Sequence, residues 1–135
     1  MNDALVYDPL RRKNVALTPE EKVRQWFIAQ LIGAFGVPVH LMMSEAPLRG
    51  GTKRYRADIL VYDRNGEPLA VVECKRPDVP LTETVARQAM RYDSVLSVAW
   101  IILTNGEGTL VFRRTGGTFV PYPSIPQYDT MLCRL

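Results

Sequence analysis

Three side chains near the middle of the chain have the types and spacing to act together: a carboxylate at Glu73, an ammonium two residues on at Lys75, and a second carboxylate at Asp58. Glu73 and Lys75 finish an otherwise apolar run, "LAVV", and residues two apart on a strand share a face. Asn65-Gly66 favours a two-residue type I′ hairpin turn with Arg64 and Glu67 as its flanking pair. Continued rung by rung, that register sets Tyr62 opposite Leu69, Leu60 opposite Val71, Asp58 opposite Glu73 and Arg56 opposite Lys75. Carboxylates opposed at ~5 Å repel by about 3 kcal/mol at an effective dielectric near 20. Two kinds of cation can offset this. Arg56 or Lys75 can do so as a structural ion pair. A divalent ion can do so as well, because Mg²⁺ takes one or two carboxylates and keeps water or phosphate oxygens on its other positions. In the second case Lys75 is placed to hold an attacking water and to stabilise charge on a phosphate.

The surrounding pattern predicts the elements that must hold these residues. Thr18-Pro19-Glu20-Glu21 reads as a helix start, with Thr18 as N-cap, proline in the first turn and Glu21 closing a capping box. The helix should run to about Ala34 on an apolar stripe of Val23, Phe27, Leu31 and Ala34, and end before Gly36 and Pro38. "PVHLMMSE" from Pro38 reads as a first strand, and "YRADILVYD" and "PLAVVECKR" as the two arms of the hairpin. A second helix is expected from Thr82, as N-cap, to about Leu96, followed by strands at "VAWIILT", "TLVFRR" and "TFVPY". Strands apolar on both faces, with helices before and after, imply a mixed sheet covered on two sides. Residues 1–17 read as an N-terminal extension, and 121–135, with Pro121, Pro123 and Pro126, as an irregular tail over the surface.

Composition narrows the chemistry. With 135 residues, 47% hydrophobic and 23% charged, the chain suits a single domain with a real core. Cys74 and Cys133 are far apart and lack zinc-ligand spacing, so Cys74 is expected as a buried free thiol. The single histidine, His40, rules out His-rich metal sites and is expected to be structural. The longest apolar run, Val98 to Leu103, suits a central strand and is too short for a membrane span. The first residues lack the apolar stretch of a secretory signal, so a cytoplasmic protein without membrane contact is expected. Net charge is only +3, but Arg49, Lys53, Arg54 and Arg56 cluster in "RGGTKRYR" with two glycines and no acid. That segment can be a phosphate-contacting loop or simply a solvated basic one.

Asp58 followed by Glu73-Cys74-Lys75 resembles the PD-(D/E)xK nuclease superfamily, with Ala57 standing where its pattern has proline. "YDPLRRKNVALTPEEKVRQ", "RADILVYD", "PLAVVECKRP", "RQAMRY" and "LTNG" resemble the N-terminal nuclease domain of type I restriction enzyme R subunits, from about Tyr7 to Gly106. The resemblance implies an α/β fold, a restriction-endonuclease-like three-layer α/β/α arrangement with a central mixed β-sheet. It implies Mg²⁺-dependent hydrolysis of DNA, with Mn²⁺ able to substitute and endonuclease action favoured over exonuclease. Asp58 and Glu73 would bind the metal and Lys75 would assist the water. Gln88 and Tyr92 match the family's Gln-x-x-x-Tyr motif; on spacing alone they are one face of an amphipathic helix. Glu20 matches an acid that related nucleases carry in the first helix and would be a further metal ligand, although it also suits a positive helix N-terminus. The chain has no G-x-x-x-x-G-K-[ST] phosphate loop, so any motor must come from elsewhere. The partners expected are DNA and either a second copy, as a homodimer that cuts both strands, or helicase or methyltransferase subunits. The competing expectation is a nuclease-like fold that binds nucleic acid or a protein partner without cutting.

Overall fold

The computed structural model describes residues 4–50, 53–91 and 97–133, with the backbone alone for 47–50 and 53–55. Eight strands and three α-helices follow in the order β1 (Leu5–Asp8), β2 (Lys13–Ala16), α1 (Pro19–Gly33), β3 (Met42–Gly50), β4 (Lys53–Tyr62), β5 (Pro68–Cys74), α2 (Glu83–Met90), β6 (Trp100–Thr104), β7 (Thr109–Thr115), β8 (Thr118–Tyr122) and α3 (Tyr128–Met131). β1 and β2 form a separate antiparallel hairpin; the other six make one sheet in chain order. Only β5 and β6 run parallel among the paired neighbours, and α2 makes the crossover between them.

The sheet is covered on both faces. On one side Val23, Phe27, Ile28 and Leu31 of α1 pack with Ile59, Val61, Val72, Trp100 and Ile102. On the other, Ala86 and Ala89 of α2 pack with Leu60, Val71, Ile101 and Leu103. Adjacent residues such as Val71 and Val72 therefore serve opposite cores, as strand geometry requires. The result is a three-layer α/β/α arrangement around a mixed sheet.

Helix α1 starts as expected. Thr18 Oγ1 accepts from the Glu21 N–H at 3.1 Å, and Pro19 opens the first turn. The reciprocal half of the capping box does not form: the Thr18 N–H donates to the Ala16 carbonyl, and the Glu21 carboxylate turns to arginines. At the other end Gly36, with φ 71°, lets the Val37 N–H return to the Leu31 carbonyl at 2.8 Å. Thr82 caps α2 by accepting from the Val85 N–H. That helix is assigned to Met90, and the rest of its expected length falls on residues 92–96, outside the described residues.

Four expectations need correction. The strand expected from Pro38 begins only at Met42, because Val39–Leu41 form a 3₁₀ turn on which His40 is exposed. The basic segment is the end of the β3–β4 hairpin, with Arg49 paired to Arg54, Gly50 to Lys53 and Pro47 to Arg56. The tail is not an irregular surface layer. Pro121 and Tyr122 belong to β8, and α3 sends Tyr128 and Met131 into the main core, where Tyr128 donates to the Tyr62 carbonyl at 2.7 Å. Trp100 Nε1 donates to the Met131 carbonyl at 3.1 Å, so α3 is anchored at both ends of its single turn.

The fourth correction concerns the hairpin that carries the acids. Its turn is not a two-residue type I′ turn. Asp63 and Glu67 close it, the Asp63 N–H donating to the Glu67 carbonyl at 2.8 Å, around Arg64, Asn65 and a left-handed Gly66 with φ 81°. The Asp63 carboxylate accepts from the N–H groups of both Asn65 and Glu67 at 2.9 Å, which fixes the longer loop. This shifts the register by one, so Tyr62 faces Pro68 rather than Leu69. A bulge between Val61 and Tyr62 then takes up the fully buried Leu69 as the extra residue. From there inward the expected pairs return: Val61 with Ala70, Leu60 with Val71, Ile59 with Val72.

Candidate active site

The β4–β5 ladder ends at Ile59 and Val72, and the next residues outward are Asp58 and Glu73. Here side chains replace backbone ladder bonds. Asp58 Oδ2 accepts from the Cys74 N–H at 2.7 Å, while the Lys75 N–H turns away to the Thr104 carbonyl of β6. On the other flank β3 and β4 pair regularly except between Ser44–Ile59 and Ala46–Ala57, where Glu45 adopts a left-handed φ of 57°. A non-glycine residue in that region costs about 1 kcal/mol or more. The Asp58 carbonyl is met there by the Ser44 hydroxyl at 3.3 Å and by Arg24 Nη1 at 3.4 Å.

Arg24 is the centre of an ion cluster that the sequence reading did not single out. Its guanidinium, 5% exposed, donates through Nε and Nη2 to Glu21, meets Glu45 Oε1 at 2.9 Å and lies 3.7 Å from Asp58 Oδ1. Glu21 in turn receives Arg11 at 2.6 Å, and Arg11 pairs with the fully buried Asp8 of the N-terminal hairpin. The chain of charge runs from β1 to β4. A visible signal existed: Arg24 lies within the buried stripe of Val23, Phe27, Ile28 and Leu31, where an unpaired charge would be prohibitive.

Burial is the largest influence on the Asp58 carboxyl and pushes its pKa up; the Cys74 N–H and Arg24 pull it down, while the charges of Glu73 and Glu20 push it up again, to about 7. Burial likewise drives the Cys74 thiol well above its ordinary value, with Asp58 adding to it, so this free cysteine is a packed, inert thiol. Lys75 Nζ lies 3.4 Å from Glu73 Oε1. The rungs expected between Asp58 and Glu73 and between Arg56 and Lys75 are both absent, since the ladder stops at Ile59 and Val72 and β5 leaves β4 beyond it; Arg56 instead approaches Glu45 Oε2 at 3.7 Å.

The structure therefore gathers Asp58, Glu73 and Lys75, with Glu20 acting on Asp58 through its charge. Gln88 is exposed on α2, Tyr92 lies outside the described residues, and the side chains of Arg49, Lys53 and Arg54 are not described. Among the described residues no group of three or more histidine, cysteine, aspartate or glutamate side chains is arranged to hold a metal ion. The groups at this point that could ligate an ion are two carboxylates, with the Lys75 ammonium beside them. Such a set suits an ion such as Mg²⁺ that keeps several water or substrate oxygens, and it does not suit a closed protein cage. Among the described residues no helix is long and apolar enough to cross a membrane.

A mixed six-stranded sheet between helices, with acids where two neighbouring strands part, defines an α/β domain. Residues 19–126 match the family described as the N terminus of type I restriction enzyme R proteins, and the chain belongs to that family. Its fold matches a fragment assigned to the HsdR subunit of a type I restriction enzyme from Vibrio vulnificus YJ016, with TM-score 0.63 and 23% identity over 84% of this chain. The matched part is 25% of that fragment's length. No curated protein matches the chain.

Proposed function

We propose that this chain is a metal-dependent DNA nuclease module of the PD-(D/E)xK type, serving a type I restriction system. The observation that carries the reading is the pair of acids at the end of the β4–β5 ladder. Asp58 is largely buried beside Glu73; burial first, and then the charges of Glu73 and Glu20, disfavour its ionised form, and Lys75 stands on Glu73. A site that disfavours its own negative charge is short of a cation. Asp58 and Glu73 are the residues that would hold Mg²⁺, or Mn²⁺ in its place. The bound ion would supply Lewis-acid stabilisation of a phosphate and a more acidic water. Lys75 orients that water and stabilises charge developing on the phosphate. Glu20 adds negative charge at the same point, Gln88 and Tyr92 position the substrate backbone, and Arg49, Lys53, Arg54 and Arg56 contact DNA phosphates. Membership of the family supports DNA and the motor and modification subunits of a type I system as partners.

The test is incubation of the purified chain with linear, supercoiled and single-stranded DNA in Mg²⁺, in Mn²⁺ and in chelator. Metal-dependent cleavage that disappears in Lys75→Ala is the expected result. DNA binding without cleavage in either metal, unchanged in Asp58→Ala, would instead identify a non-catalytic binding module.

A further inference from the structure

We propose that Arg24 is the positioning residue for Asp58: clamped by Glu21 and Glu45, its guanidinium fixes the direction in which the Asp58 carboxylate is presented at the parted end of β4 and β5. Its consequence for metal binding rests on the nuclease reading, whereas its effect on the carboxylate does not.

The geometry supports a role beyond packing. Arg24 touches Asp58 twice, at the carbonyl (3.4 Å) and beside Oδ1 (3.7 Å), both through Nη1. The rest of its planar fork is occupied: Nε by Glu21 Oε2 at 3.1 Å, and Nη2 by Glu21 Oε1 at 3.2 Å and Glu45 Oε1 at 2.9 Å. A guanidinium held at two of its nitrogens by two carboxylates cannot swing, so the third nitrogen has a fixed place. The opposite side of the Asp58 carboxylate is held by the Cys74 N–H. One oxygen is thus pinned from β5 and the other flanked from α1, which leaves the carboxylate little rotational freedom about its terminal torsion.

This also accounts for the left-handed Glu45. Its carboxylate closes the clamp on Arg24 while its backbone interrupts the β3–β4 ladder next to Asp58, freeing the Asp58 carbonyl for Arg24 and Ser44. A lysine at position 24 would keep the charge but, as a single point donor on a flexible stem, could not engage Glu21, Glu45 and Asp58 at fixed angles together.

The reporter is the Cys74 amide, which sees the Asp58 carboxylate without any metal. Its proton shift and hydrogen exchange would be measured by NMR in wild type, Asp58→Asn, Arg24→Lys and Arg24→Gln, with Mn²⁺ binding followed by calorimetry on the same samples. In folded Arg24→Lys the Cys74 proton is expected to move at least halfway to its Asp58→Asn position and to exchange faster, and Mn²⁺ affinity to fall roughly 10–100-fold. Arg24→Gln should do the same where it folds, and the lysine variant should not rescue it. A Cys74 amide that keeps its wild-type shift and protection in folded Arg24→Lys would overturn the proposal. If wild type binds no Mn²⁺ while the amide still responds, the nuclease reading fails and the positioning role stands.

Discussion

Two groups of acids lie within reach of α1, one buried and one half-buried, and they are supplied with cations very differently. Asp8 and Glu21 share Arg11, and Glu21 also holds Arg24. Burial alone would push both acids up, but hydrogen bonds from Arg11, aided for Glu21 by Gln25 and the Arg24 charge, outweigh it and hold both below the ordinary carboxylate range. Asp58 has the Cys74 N–H and a distant face of the same Arg24, set against Glu73 and Glu20, and it is pushed up to about 7. In the first group the arginines outweigh burial and close a structural knot; in the second, burial is the largest influence on Asp58 and the charges of Glu73 and Glu20 add to it. The proposed site is the group whose carboxyl is raised rather than lowered.

The largest effect should come from the under-supplied group. Glu73→Ala is expected to lower metal-dependent cleavage by roughly 10²–10³-fold with the thermal midpoint close to wild type, as gel-based rates and calorimetry would show. A midpoint that collapsed with the activity would move Glu73 into the structural class. Next comes the knot: Arg11→Met leaves buried Asp8 without its main cation and should cost about 3 kcal/mol of stability in urea unfolding.

The two groups should also separate by pH. Asp8 and Glu21 have lowered folded-state values, so their contribution is present above the unfolded range near pH 4 and is lost as pH falls below it. Asp58 has a raised value, so its contribution is fully present below its unfolded value of 3.8 and is lost as pH rises to about 7. The metal-free midpoint should therefore decline from pH 4 to 7 in wild type and be flatter there in Asp58→Asn, while the drop below pH 4 survives in both. Added Mg²⁺ should raise the midpoint above pH 7 in wild type alone. Identical profiles for the two proteins would show that Asp58 is not the poorly supplied acid. The smallest effect is expected at the rim: Arg56→Ala, removing a long and exposed pair with Glu45, should change stability by about 0–1 kcal/mol.

Much of this arrangement was legible in local chemistry. Thr18 and Pro19 mark the start of α1, the apolar runs mark β4, β5 and β6, and the middle rungs from Ile59 to Val61 follow the expected pairing. The rest depended on partners distant in sequence. Four-residue α3 has no helical pattern of its own and is held by Trp100, Tyr62 and Phe35. The short β1 and β2 lie in a segment without alternation, tied down by ions to α1. Arg24 shows as a charge on the buried stripe of α1, but its partner Glu45 follows from α1 crossing β4 beside an interrupted rung, which no spacing rule encodes. The two-residue turn that Asn-Gly favours gives way because the Asp63 side chain captures two backbone amides and selects the longer loop.

That longer loop and the extra Leu69 both lie outside the rungs that lead to the acids, which begin at Val61 and Ala70. Losing one turn residue would leave a two-residue loop closed by the same Asp63 and Glu67, and losing Leu69, at the cost of a fully buried side chain, would let Tyr62–Pro68 run straight on into Val61–Ala70. Asp58 and Glu73 would keep their places in either case. The outer end of the arm is therefore a buffer in which length can change, whereas one residue added or removed between Asp58 and Val61, or between Ala70 and Glu73, would turn an acid to the other side of the sheet.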